Sequence, residues 1–155
     1  MATDTGQRTG SGSVQQNRET VESTRTDEER CWPVTLECVR LFADSAGESH
    51  FGPLDIDLTS EDFAPPALPL EVSQIVEARH GFLRAAPGWF GDWHPTPARQ
   101  FMCVLSGVLE VSVSDGETRR MTPGTIILLE DTAGRGHATR VVSEDAAVLA
   151  FAQLP

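Results

Sequence analysis

The sequence predicts an all-β fold, a sandwich or barrel of short strands behind a polar tail. Three observations carry this. From Val34 to Leu154, short runs rich in β-branched and aromatic residues recur between Gly, Pro, Ser and Asp turn signals. The run after Gly107 alternates, with Leu109, Val111 and Val113 on one face and Val108, Glu110, Ser112 and Ser114 on the other. No segment has the length and period of a convincing long helix, so eight or nine strands suit a sandwich or barrel.

The elements follow in order. Residues 1–30 are rich in Thr, Ser, Gly, Gln and Glu. They hold too little apolar surface to offset the entropy of ordering, so they are expected to be a disordered tail. A single domain is expected over residues 31–155. Val34 to Phe42 alternates and reads as a strand, and Asp44 to Glu48 as a turn. His50 to Pro53 leads into a short strand over Leu54 to Leu58. EDFAPPALPL places three Pro between 65 and 69 and reads as an irregular surface connection, with a lid as the alternative.

Over Val72 to Ala86 a helix is conceivable for the first half. Gly81 and the β-formers around it favour a strand with Phe82 and Arg84 on one face. Phe101 to Leu105 is a strand ending at Ser106-Gly107, and Asp115-Gly116 closes a hairpin. Thr118 to Met121 pairs back, and Pro123-Gly124 turns the chain into Thr125 to Leu129. A polar loop from Glu130 to Gly136 then delivers His137. Ala138 to Val142 and Ala146 to Leu154 are the last strands.

Composition narrows the function classes. The net charge is −11, and all twelve basic residues are Arg. An acidic surface without a basic stripe argues against nucleic acid and against anionic membranes. The three Cys, at 31, 38 and 103, show no metal spacing and no disulfide framework. Cys31 and Cys38 would pair only if the fold brought them together, and free thiols in a reducing cytosol are expected. No apolar run approaches transmembrane length, and there is no signal-peptide stretch, so a cytoplasmic protein is expected.

Gly88 to Gly107, GWFGDWHPTPARQFMCVLSG, is the stretch around which the chemistry gathers. Its spacing resembles the first motif of the cupin superfamily, G-x5-H-x-H-x3-E-x6-G. Gly88, His94, Thr96, Gln100 and Gly107 occupy the fixed positions, with Thr96 for the second His and Gln100 for the Glu. The second motif is similar as well: Thr132, Gly134 and His137 fit its core, Val141 stands where an Asn would be, and Pro123-Gly124 matches the preceding turn. The resemblance covers about residues 34–154 and implies a double-stranded β-helix, or jelly-roll barrel. It looks like a branch of small single-domain bacterial cupins with a degenerate metal motif.

In metal-binding cupins those positions hold Fe, Mn, Ni, Cu or Zn. Carried over, the resemblance leaves His94, Gln100 and His137 as the ligands of any metal, without the usual carboxylate. A weakly bound divalent metal is then the expectation, with no firm cofactor. His50 and His80 are the only other imidazoles available as replacements.

Without a metal, the barrel would bring His94 and His137 to one side of its interior. Two imidazoles in an apolar cavity suit an acid and base pair. Gln100 would orient one ring or donate to a substrate carbonyl. Arg84, if it points inward, would hold a carboxylate or enolate. Trp93, Thr96 and Phe101 complete the expected substrate contacts, and Trp89 and Phe90 are read as ordinary packing. Glu130 is a candidate to orient His137, and Arg99 a surface or dimer-contact residue.

The resemblance implies three functions. The first is a non-redox tailoring enzyme of secondary metabolism, of isomerase, cyclase, dehydratase or epimerase type, acting on a small oxygenated metabolite. The second is a metal-dependent dioxygenase, and the third a non-catalytic small-molecule binding module. A homodimer is expected, as in small cupins, with residues 34–42 as the candidate exchanged strand.

Overall fold

The computed structural model describes residues 34–155; the expected tail over residues 1–30, and Cys31, lie outside the described residues. Eleven strands run in order: β1 (Val34–Ala43), β2 (Ser49–Glu61), β3 (Leu70–Val72), β4 (Arg79–Ala85), β5 (Phe90–His94), β6 (Gln100–Ser106), β7 (Leu109–Val113), β8 (Thr118–Met121), β9 (Ile126–Leu129), β10 (His137–Val141) and β11 (Ala147–Gln153). Among the described residues no helix is long and apolar enough to cross a membrane.

Strands β4 to β11 build two antiparallel layers, β4-β11-β6-β9 and β5-β10-β7-β8. From β4 to β11 the chain passes between layers at every connection except the β7–β8 hairpin, which is the eight-stranded jelly-roll order. Strands β3, β2 and β1 widen the first layer to seven. β1 lies parallel to β9, with Val39 opposite Ile127, and β2 folds back on β1 from Ser49 opposite Ala43 to Leu58 opposite Val34.

Alternation along the strands sets the core. Leu109, Val111 and Val113 turn inward from β7 and meet Leu41, Val104, Ile127 and Leu149 from the other layer. Burying each such side chain contributes about 1.5–3 kcal/mol. At the β7–β8 turn, Gly116 takes φ 97°, as the Asp-Gly signal requires.

The all-β expectation holds, and several element boundaries are corrected. β2 is far longer than Leu54 to Leu58 because His50 to Pro53 already pair with β1. Pro53 is accommodated because β3 pairs only with Thr59 to Glu61, so no neighbour needs a hydrogen on the Pro53 nitrogen. A short strand, β3, interrupts the Pro-rich connection. The conceivable helix after Val72 is absent, since residues 73–78 have no regular structure and β4 starts at Arg79. Residues 34–42 pair with β2 and β9 of their own chain.

Candidate functional site

Strands β5 and β10 place His94 directly opposite His137. The register shows how. Gly91 stands opposite Thr139 and His94 opposite His137, so Asp92 and Trp93 together face the single residue Ala138. This is a β-bulge, and the extra residue shifts the side-chain phase by one. His94 therefore turns into the barrel and Trp93 turns out. Gly91 itself leaves room for the Trp89 ring, which a methyl group there would strike.

The loop before β10 is fixed with similar care. Gly136 has φ 69°, and a methyl group on it would collide with the His94 carbonyl. The Ser49 hydroxyl, itself buried, donates to the Gly136 carbonyl at 2.6 Å. His137 thus enters β10 from a backbone that only glycine can follow.

Both imidazoles are oriented through Nδ1. His94 Nδ1 lies 2.6 Å from the Asp92 carbonyl oxygen. His137 Nδ1 lies 2.7 Å from Asp131 Oδ2. A carbonyl and a carboxylate can only accept, so each Nδ1 carries the hydrogen, and in the neutral ring each Nε2 presents a lone pair. The rings stand 4.9 Å apart between centroids, tilted by 48°. His137 is 6% exposed, whereas His94 sits at the open side of the cavity.

Asp131 is the centre of this arrangement. It is fully buried. Its Oδ1 accepts from the Thr96 hydroxyl at 2.5 Å, and its backbone carbonyl accepts from the Thr96 N–H at 3.0 Å. A buried carboxylate is tolerated only when hydrogen-bonded donors surround it, and Thr96 and His137 supply them. Thr96, in place of a second motif His, therefore supports the carboxylate that supports His137.

Around the two rings lies a cavity of about 350 Å3, within the usual range of roughly 300–1,000 Å3 for small-ligand sites. Leu41, Met102, Val111, Ile127, Leu129 and Leu149 give it apolar walls, and Gln100 and Thr139 add polar groups. Gln100 is buried and no hydrogen bond ties its amide among the described residues.

His94, His137, Gln100 and Thr96 thus come together as expected, and other expectations are corrected. Trp93 lies outside the cavity, in a groove on the outer face of the second layer with Phe90 and Arg140. Phe101 alternates with the inward Gln100 and Met102 and so faces away from the barrel. Trp89, read as packing, lines the cavity instead. Arg84 borders the mouth but is exposed, on the strand face shared with Phe82, while Leu83 and Ala85 turn inward.

Glu130 does not orient His137. It accepts from Arg40 Nε at 2.5 Å and from Arg99 Nε at 2.7 Å. Burial alone would raise its carboxyl, and these two guanidinium contacts outweigh that and hold it below the usual range. Asp131 was the residue that sequence reasoning passed over. The signal was its place six residues before His137 in a loop otherwise rich in Gly and Thr. His50 is held by Asp115 and Asp44 at a turn, and His80 sits exposed on β4; neither lines the cavity.

The donor set does not fit a tightly held divalent metal. Among the described residues no three His, Cys, Asp or Glu converge as ligands. Both Asp131 oxygens are engaged, and Gln100 offers only a neutral amide oxygen. Two imidazoles and an amide leave a dication without the anionic partner that such sites ordinarily provide.

No family model matches the chain, and no curated protein matches it. Among solved structures it is similar to a Rhizobium leguminosarum protein of unknown function, at 32% identity and a TM-score of 0.43, over 50% of this chain and 70% of that one. It is similar to the cupin_2 domain of an XRE family transcriptional regulator from Enterobacter cloacae, at 29% identity and 0.39, over 49% and 80%. A cupin domain from Bordetella pertussis matches at 20% and 0.42, over 53% and 88%. The assignment rests on the chain itself: the jelly-roll order, the Gly88 to Gly107 spacing, and the inward pair of His94 and His137. On these grounds the described residues have the fold of a small cupin domain.

Proposed function

We propose that the barrel binds a small, largely apolar, oxygenated molecule and moves a proton on it without redox chemistry. One observation carries the reading. Both Nδ1 atoms are occupied by acceptors, which leaves both Nε2 atoms for the apolar cavity that the two rings line together with the Gln100 amide.

The chemistry follows from the roles available. His137 Nε2 takes a proton from the carbon next to a substrate carbonyl, and the electron pair moves onto the carbonyl oxygen. Asp131 carries the negative charge that matches the imidazolium formed. The Gln100 amide N–H donates to the developing oxyanion, which an ionised Glu at this position could not do. His94, protonated from solvent at the open side, returns a proton at the second position. One proton leaves the substrate and one arrives, so an isomerisation that moves a double bond or a carbonyl balances. The apolar walls exclude water from the intermediate and select neutral substrates.

The test is deuterium exchange. The full chain is incubated in D2O with small neutral enolisable ketones, and mass gain is read. Binding is followed by the fluorescence of Trp89 and the other indoles. Exchange that is lost in His137→Ala and His94→Ala, while binding persists, supports the reading. Ligands that bind but neither exchange nor change would contradict it and leave a binding module. Exchange abolished by chelator would contradict it in favour of a metal enzyme.

A further inference from the structure

Positive charge in this chain is nearly always answered by a carboxylate. Among the described residues, Arg40 and Arg99 pair with Glu130, Arg119 with Glu117, Arg120 and Arg140 with Glu110, and Arg135 with Glu48. Arg79 and Arg84 alone have no carboxylate partner there. Both stand on β4, and the residues opposite them on β11, Gln153 and Val148, are uncharged. In a chain of net charge −11, an unanswered guanidinium needs a reason.

The two arginines differ in place. β4 ends the seven-stranded layer, so its far edge is open. Arg84 borders the mouth of the cavity together with Trp89, whereas Arg79 does not line it. Charged side chains commonly guard a sheet edge against pairing with another chain. Either sign of charge serves that purpose, so edge protection explains neither the sign of Arg84 nor its place at the mouth. The cavity itself sharpens the contrast. No Asp or Glu lines it, and Asp131, behind His137, has both oxygens bonded. Arg84 is therefore the one permanently charged side chain on the lining.

We infer that the mouth is an anion subsite and that the molecule held in the barrel is an oxo acid. Its neutral apolar body carries the carbonyl between the walls, and its carboxylate stays outside on Arg84. The inference rests on the reading of the barrel as a site of proton transfer beside a carbonyl, and it adds the far end of the substrate. Apolar walls require neutrality only of the part they enclose; a charge left at the mouth keeps its water. A planar guanidinium matches a carboxylate through two parallel hydrogen bonds, and one arginine answers its charge in full. A phosphate dianion would keep half its charge unanswered in the field of an acidic chain.

The experiment compares levulinate, and its homologues lengthened by one, two and three methylenes, each with its own methyl ester. The full chain at neutral pH is titrated with each, binding is read from indole fluorescence, and exchange in D2O is read by mass. Because Arg84 is exposed, the expected gain is about tenfold, short of that of a buried pair. At one chain length or more, the acid should bind about tenfold more tightly than its ester. That ratio should fall towards one in Arg84→Gln and stay at the wild-type value in Arg79→Gln, which removes the same charge from the same strand. Far-ultraviolet dichroism checks that both variants are folded. An acid that binds no better than its ester at every length overturns the inference, and so does a preference that survives Arg84→Gln or is lost equally in Arg79→Gln. Esters that exchange deuterium without any preference for the acid leave the proton-transfer reading standing and remove the anion subsite. An Arg84-dependent preference with no exchange in any keto acid upholds the subsite and removes the proton transfer.

Discussion

Removing the Asp131 carboxylate tests the site at its most demanding point. The group is fully buried and accepts from the Thr96 hydroxyl at 2.5 Å and from His137 Nδ1 at 2.7 Å. Asp131→Ala strands both donors where water cannot reach them. Each unsatisfied group costs about 1–3 kcal/mol, so the variant should lose about 3 kcal/mol or more. At roughly 3–6 °C per kcal/mol for a domain of this size, the melting temperature should fall by about 10–15 °C. Asp131→Asn keeps an acceptor for His137 and lets Thr96 accept instead of donate, so it should cost only about 1 kcal/mol. Its effect should appear in the chemistry: proton exchange should fall about a hundredfold or more while ligand affinity holds, since the imidazolium loses its counter-charge. Calorimetry and deuterium exchange read the two effects separately. An Asp131→Ala protein that melts within about 2 °C of wild type would refute the reasoning, because the buried network could not then exist.

Three further outcomes follow from the same structure. Gly136→Ala forces a methyl group onto the His94 carbonyl at φ 69° and should cost about 3 kcal/mol or more, whereas Gly116→Ala, at φ 97° with open space around it, should cost only about 1–2 kcal/mol; denaturant titration compares them. His50 is raised above its reference of 6.5 by hydrogen bonds to Asp115 and then Asp44, so its contribution to stability is complete below about pH 6.5 and fades as pH rises through the folded value; melting curves of wild type and His50→Gln should differ most on the acid side of that point and converge at alkaline pH. Dialysis against chelator should leave the melting temperature unchanged, and elemental analysis should find well under one metal ion per chain, since among the described residues no anionic ligand completes the set around His94 and His137.

The sequence made the barrel legible through turns and alternation. Asp115-Gly116, Pro123-Gly124 and the Leu109, Val111, Val113 face each act locally, so each could be read without knowing the fold. The Gly88 to Gly107 spacing likewise carried the meeting of His94, Thr96 and Gln100. What escaped depended on pairing partners. Trp93 was assigned to the cavity because nothing local marks the bulge opposite Ala138 that turns it out. Phe101 was one residue from Gln100, and in a strand one residue is the opposite face. Asp131 was hidden because its role is set by Thr96, far away in sequence, while its neighbour Glu130, equally plausible by position, is claimed by Arg40 and Arg99. β2 was underestimated because Gly52-Pro53 reads as a break, yet the structure leaves that stretch unpaired on its outer edge.

The claim on which the account turns is that both Nε2 atoms face the cavity as free lone pairs. Long-range proton–nitrogen correlation spectra of the full chain, labelled with nitrogen-15 at His and recorded on the alkaline side of neutrality, report the tautomer of each ring. Single His94→Ala and His137→Ala variants assign the signals. The account predicts that both rings carry hydrogen on Nδ1 and that Asp131→Asn perturbs His137 alone. A hydrogen on His137 Nε2 would contradict it, because that nitrogen could then not accept a substrate proton.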